Sequence, residues 1–214
     1  MPAALIDTVI FDVGGVLAET GRHSDFARRF PPEVAEQVTR IFVGDYAEDG
    51  DHPWHRLERG EITFAENRAL NRAALEAAGI EVPAPPPGGA PMIQFLPSAP
   101  MVALVEELHG AGFRLGVLTN NVLEFREHWR SLMDFDRFFD DVVDSHEVGL
   151  RKPNPAIYQL ALARLGAAAG RTAFLDDVPT NVSAAEGVGI RGVLVDPDPT
   201  EAIATVRRWA GFIA

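Results

Sequence analysis

Two hydrophobic periods divide this chain. A short apolar run, Val9-Ile10-Phe11, ends a strand expected over Asp7–Phe11, and Asp12 and the pair Gly14-Gly15 break it at once. From Ala18 to about Gly79 the apolar positions recur at helical spacing, with no strand among them. Helices are expected over Ser24–Phe30, Pro32–Val43 and Thr63–Ala78, with Ser24 and Pro31-Pro32 as starts and Gly79 as a stop. Residues 44–55 between them are acidic, turn-rich and aromatic. Residues 82–91 are crowded with prolines, which donate no helix or ladder hydrogen bond, so this stretch reads as a linker.

Beyond Pro97 the two periods alternate. Helices are expected at Pro100–Gly110, Leu123–Met133, Pro155–Leu165, Thr180–Gly187 and Pro199–Trp209. Extended segments are expected at Arg114–Thr119, Phe138–Asp144, Thr172–Leu175 and Gly192–Val195. Short apolar strands alternating with helices of this length imply βαβ units and a parallel sheet. The expectation is a Rossmann-like three-layer α/β sandwich, residues 1–16 and 97–214, interrupted by a helical insertion, residues 17–96.

Composition narrows the partners. The 214 residues suit one α/β domain carrying an insertion, and 47% hydrophobic residues suffice for a sizeable core. A formal charge of -12 argues against nucleic acid and anionic membrane surfaces. An anionic substrate must then be drawn by local groups or a metal ion. The absence of cysteine removes disulfides, thiol chemistry and zinc–thiolate sites. The opening residues lack a signal-peptide pattern and no apolar run reaches membrane-span length, so a soluble, cytoplasmic protein is expected.

Four groups of polar residues fall just beyond apolar strands or at helix starts. Asp12 stands at a strand's carboxyl end, where open α/β sheets bind ligands, although Asp-x-Gly-Gly is also an ordinary turn. Thr119-Asn120-Asn121 offers a hydroxyl and backbone N–H groups to an anion, or else an asparagine merely caps the next helix. Lys152, held between Arg151 and Pro153, is a point charge for phosphate or a solvated surface lysine. Asp176-Asp177 repel one another unless a cation lies between them; with Asp12 they compose an oxygen-rich set of the kind magnesium uses. Their alternative is a solvated turn.

Together these residues resemble the haloacid dehalogenase-like hydrolase superfamily. Its four motifs are matched in order by Asp12 in Phe-Asp-Val-Gly-Gly-Val-Leu, Thr119 in Leu-Thr-Asn, Lys152 in Gly-Leu-Arg-Lys-Pro, and Asp176-Asp177 in Phe-Leu-Asp-Asp-x-x-x-Asn, which ends at Asn181. The insertion resembles that superfamily's helical cap. Within it Glu58-Arg59-Gly60-Glu61-Ile62-Thr63 is similar to the subgroup of sugar-phosphate phosphatases and the amino-terminal domain of soluble epoxide hydrolases. The resemblance implies a magnesium-dependent phosphatase of small phosphorylated metabolites, in which Asp12 attacks phosphorus and forms an aspartyl-phosphate. It implies magnesium held by Asp12, the Gly14 carbonyl and Asp177, with Asp176 acting through water. Thr119, the N–H of Asn120 and Lys152 would grip the phosphoryl group.

One position departs from the family pattern. Most phosphatases of the superfamily carry an acid–base aspartate two residues after the nucleophile, and here that residue is Gly14. Such help is worth roughly 10²–10⁴-fold in rate. A good leaving group such as an anomeric or acyl phosphate, a proton from His52 or His55, or metal-bound water could compensate. Two other readings stay open: a catalytically weak phosphate-binding or protein-interaction domain, and a 2-haloacid dehalogenase. Tyr46, His52, Trp54 and His55 either line a substrate pocket or serve local packing and capping. Trp129 and Trp209 are expected in the core, and His109, His128 and His146 at the surface. Substrate identity and oligomeric state are not encoded in any one motif.

Overall fold

A computed structural model describes residues 4–19, 27, 29–83 and 95–213. Five parallel strands, β1 (Thr8–Phe11), β2 (Arg114–Thr119), β3 (Asp141–Asp144), β4 (Thr172–Asp176) and β5 (Arg191–Leu194), form one sheet in the order β3-β2-β1-β4-β5. The chain leaves β1 toward one side and later returns to build the other. That order puts a topological switch point at the carboxyl end of β1, where such sheets bind ligands.

Side-chain alternation explains the two faces. Val9 and Phe11 of β1 and Leu115 and Val117 of β2 enter one buried cluster with Met101, Leu104 and Leu108 of α4 (Ala99–Gly110) and with Val206 of α10 (Thr200–Trp209). Ile10, Leu118 and Phe174 enter the opposite cluster with Ile157 and Tyr158 of α8 (Pro155–Leu165) and Ala185 of α9 (Pro179–Gly187). Helices on both faces bury the sheet, which accounts for its nearly continuous apolar strands. Gly116 lets α8 close onto β2, because a Cβ there would meet Leu165 Cδ1 at 2.7 Å.

The first helices of the chain lie between β1 and α4. They are α1 (Ala35–Val43), entered through a 3₁₀ turn at Pro32–Val34, α2 (Pro53–Glu58) and α3 (Phe64–Ala77). Thr63 and Glu66 form a reciprocal capping box at the start of α3. Val38 and Leu75 pack α1 against α3, whereas Val43, Trp54 and Leu57 pack with Val122, the residue just beyond the loop that follows β2. The chain enters and leaves this region at a bridge between Ala18 and Pro97, flanked by Glu19 N–H to Leu96 O at 2.8 Å and Ser98 N–H to Leu17 O at 2.8 Å. Leu17 and Ala18 are themselves fully buried in the core cluster beneath that neck.

Several local expectations change. Residues 44–55, read as turn-rich, contain the start of α2, where Pro53 fixes the first turn and the His52 side chain accepts from Trp54 N–H. Six residues are too few to show a helical period. The extended segment expected over Phe138–Asp144 begins later, because Asp134 caps a helical turn, α6 (Phe135–Phe138). The helix expected over Leu123–Met133 is a 3₁₀ turn followed by α5 (Arg126–Arg130). A short α7 (Ser145–Val148) follows β3, capped by Asp144. The helix expected over Ser24–Phe30 and the linker at 82–91 lie largely outside the described residues. Trp129 is fully buried, Trp209 packs against the core, His109 is exposed, and His128 and His146 are half-buried.

Candidate active site

Register brings the motif residues to one edge. Phe11 pairs with Val117 on one side and Leu175 on the other, so the residues that follow, Asp12, Leu118-Thr119 and Asp176, end the three central strands together. Asp12 N–H still bonds Leu175 O at 2.9 Å, which fixes the nucleophile candidate as an extension of β1. Val13 N–H donates to Asp12 Oδ1 at 2.7 Å, and Lys152 Nζ lies 2.9 Å from the same oxygen. Both contacts fall on Oδ1, which leaves Oδ2 for chemistry.

Lys152 is buried, at 1% exposure, so the surface reading of this residue is excluded. Its ammonium also donates to Asp176 Oδ2 at 2.6 Å. Asn120 holds its backbone from both sides: Lys152 N–H donates to Asn120 Oδ1 at 2.8 Å, and Asn120 Nδ2 donates to Lys152 O at 2.9 Å. The side chain of Asn120 therefore clamps the lysine loop instead of capping a helix. Asn121 takes the local role, its Oδ1 accepting from Val122 N–H at 2.9 Å. Thr119 is buried at the end of β2.

Asp176 is held by three protein donors. Its Oδ1 accepts from Val178 N–H at 2.8 Å and Asn181 Nδ2 at 3.1 Å, and its Oδ2 from Lys152 and Asn181. Asn181, a residue the motif reading left without a role, orients this carboxylate from α9. Oxygens of Asp12, Asp176 and Asp177 lie within 4.8 Å of one another. Gly15, at φ +72, makes that proximity possible, because a Cβ there would fall on the Asp177 carboxylate.

The electrostatics of the group favour a cation. Burial pushes the Asp12 carboxyl up to about 8, and the charges of Asp176 and Asp177 push the same way, against the pull of Lys152. Burial would lower Lys152, but the charges of Asp12 and Asp176 outweigh it and hold the ammonium above its ordinary range. A dication among three carboxylates reverses the penalty on Asp12. Three converging carboxylates are an all-oxygen donor set that fits magnesium.

The cap residues are occupied by structural tasks. His52 caps α2, its Nδ1 accepting from Trp54 N–H at 3.1 Å, and His55 Nδ1 accepts from Gly50 N–H at 3.1 Å. Burial first, then the nearby Arg151 charge, lowers His55 to about 4, so at neutral pH it is a neutral imidazole and not an imidazolium acid. Trp54 is buried and donates from Nε1 to Glu58 Oε1 at 2.9 Å; Tyr46 donates to the same oxygen at 3.2 Å. All four side chains thus have packing, capping or hydrogen-bond partners within the protein.

The haloacid dehalogenase-like hydrolase family is matched over residues 6–189. The chain belongs to that family. Acyl-CoA dehydrogenase family member 10 and bifunctional epoxide hydrolase 2, both of Mus musculus, are 32% and 30% identical to this hydrolase over 95% and 86% of its chain. The chain spans only 19% and 35% of those proteins' own lengths. Sesquiterpene phosphatase astK of Aspergillus oryzae is 29% identical over 86% of this chain and 87% of its own. Among solved structures, an L-2-haloacid dehalogenase superposes with a TM-score of 0.66 at 18% identity, covering 94% of this chain and 99% of that one. A HAD family enzyme of Bacteroides thetaiotaomicron, in complex with magnesium and inorganic phosphate, superposes at 0.61 with 18% identity over 90% and 96%. These two likenesses carry the fold.

Proposed function

We propose that this hydrolase is a magnesium-dependent phosphatase of a small phosphorylated metabolite, with Asp12 as nucleophile. The observation that carries the reading is the buried Asp12, held 2.9 Å from Lys152 at the edge where Asp176 and Asp177 converge. Asp12 Oδ2 attacks phosphorus, the bond from phosphorus to the leaving oxygen breaks, and an aspartyl-phosphate forms; water then attacks phosphorus and frees Asp12 and phosphate. Lys152, the Thr119 hydroxyl and Asn120 N–H hold the phosphoryl oxygens. Asp12, the Gly14 carbonyl and Asp177 hold magnesium, with Asp176 acting through water. Magnesium supplies charge neutralisation, which with positioning is most of what phosphoryl transfer asks of a protein.

Gly14 offers no proton to the leaving oxygen, and His55, lowered to about 4, is not an imidazolium acid at neutral pH. The substrate class favoured is therefore an anomeric or acyl phosphate, whose leaving oxygen departs with little protonation. In this reading residues 1–16 and 97–214 are the core and 17–96 the cap, joined at the neck between Ala18 and Pro97. The name of the sesquiterpene phosphatase supports the assignment. The pair Asp176-Asp177 beside Asp12 counts against the dehalogenase reading, since a departing halide needs neither a proton nor a metal. The test is phosphate release from sugar phosphates, acyl phosphates and nucleotides with magnesium, with chelator, and in Asp12→Asn. Release that needs magnesium and vanishes in Asp12→Asn supports the reading. Phosphate binding without turnover of any substrate supports the weak binding domain, and halide release from a 2-haloacid in chelator supports the dehalogenase.

A further inference from the structure

Lys152 is the one lysine of the chain. The residue before it, Arg151, is 0% exposed and turns the opposite way, into the segment around α2. Its Nε donates to Glu58 Oε2 at 2.8 Å, its Nη1 donates to Glu48 O, and its guanidinium lies 5.2 Å from the Tyr46 ring centroid. Two residues after Lys152, Asn154 Nδ2 donates to Asp49 Oδ2 at 2.9 Å. Lys152 thus faces the carboxylates while both flanking contacts grip a segment some hundred residues earlier in the chain.

Glu58 is the hub of that grip. Its Oε1 takes the Tyr46 hydroxyl and Trp54 Nε1, and its carbonyl takes Ser145 Oγ at 2.7 Å. Ser145 Oγ in turn accepts from Asn121 N–H at 3.0 Å, so one residue joins the loops after β2, β3 and Gly149. A buried ion pair gains little net stability, because desolvation offsets its attraction, but removing one partner leaves a bare buried charge. Here the pair stands between the cap segment and the backbone of Lys152.

We infer that Glu58 and Arg151 are positioning residues, whose ion pair makes closure of the 44–61 segment the condition for Lys152 to sit between Asp12 and Asp176. The role of Lys152 as the phosphoryl grip rests on the phosphatase reading; its placement by the pair does not. When the segment lifts, Arg151 loses its partners and the lysine loop keeps only its core contacts: Asn120 on its backbone, Asn154 N–H on Arg151 O, and Asp12 and Asp176 on the ammonium.

The test uses the full chain and three variants: Arg151→Met, Glu58→Gln, and the two combined. In the double variant the Gln carbonyl oxygen still accepts from Tyr46 and Trp54, and no unpaired buried charge remains. Lys152 is acylated with acetic anhydride and read by peptide mass spectrometry, the terminal amine serving as internal control. Melting temperature and the kcat and KM of phosphate release from acetyl phosphate are measured alongside. In the double variant the melting temperature is expected near wild type, while Lys152 acylation rises at least about tenfold. Its kcat is expected to fall roughly 10- to 100-fold, with KM changing less. Wild-type acylation and kcat in a folded double variant would overturn the inference and leave the pair as structural glue. If the double variant does not fold, Glu58→Gln decides by the same acylation comparison: faster labelling supports positioning, unchanged labelling refutes it. A wild-type protein that turns over no phosphate ester sinks the phosphatase reading alone, since the acylation arm needs no turnover.

Discussion

Gly15 offers a test that separates the metal site from the fold. It adopts φ +72, and a Cβ there would fall on the Asp177 carboxylate, with Asp177 Cγ only 2.5 Å away. In Gly15→Ala two costs therefore arise. The left-handed backbone costs about 1–2 kcal/mol for any residue with a Cβ, which for a chain of this size lowers the melting temperature by about 2–8 °C. The steric cost falls on a half-buried side chain that can rotate away, so it is expressed as displacement of Asp177 instead of unfolding. In the proposed site Asp177 is one of two direct carboxylate ligands; displacing it by a van der Waals radius would leave magnesium a poorer site, and a loss of about 1.4 kcal/mol already weakens binding tenfold. The assay is thermal denaturation of wild type and Gly15→Ala across a magnesium titration. Wild type is expected to gain stability with magnesium at a midpoint at least about tenfold lower than the variant. A variant that is destabilised yet keeps the wild-type magnesium midpoint would refute the argument that Gly15 exists to admit Asp177.

Three further outcomes follow from the same geometry. Gly14→Asp is expected to raise turnover of simple esters, which need a proton donor, by roughly 10-fold or more and of acyl phosphates far less; equal gains on both would show that the acid is not limiting. Asn120→Ala removes both side-chain bonds to the Lys152 backbone, at about 1–3 kcal/mol of stability, and kcat/KM is expected to fall with it; unchanged kinetics would mean the loop is fixed by other contacts. In chelated protein, Asp12 is protonated in the fold up to about 8 but ionises near 3.8 once unfolded. Between those values the folded state binds the extra proton, so this group's contribution to stability declines as pH rises from about 4 to about 8, and is level on either side. Melting temperature against pH in chelator should show that decline for wild type, with a shallower slope in Asp12→Asn and in magnesium; identical slopes would exclude Asp12 as its source.

The strands and helices of the core were legible because each is set by local period and punctuation. Arg114–Thr119 and Pro155–Leu165 match their expected bounds, the latter because Asn154, Pro155 and Gly166 mark both ends chemically. The motif carboxylates were legible for the same reason: a charge directly after a buried strand must lie at the sheet's carboxyl edge, and the parallel register aligns Asp12 with Asp176. The helix α2 was not legible, since six residues complete too little of a period and its start depends on a histidine cap. What the sequence by itself determined was therefore the alternation of strand and helix and the identity of the residues at its edge. Only the tertiary structure decided that Lys152 is buried between two carboxylates, that Arg151 is paired with Glu58, and that His55 is held as the neutral imidazole. Charge state and partnership depend on burial and on groups 93 residues apart, as Glu58 and Arg151 are, and no local pattern carries either.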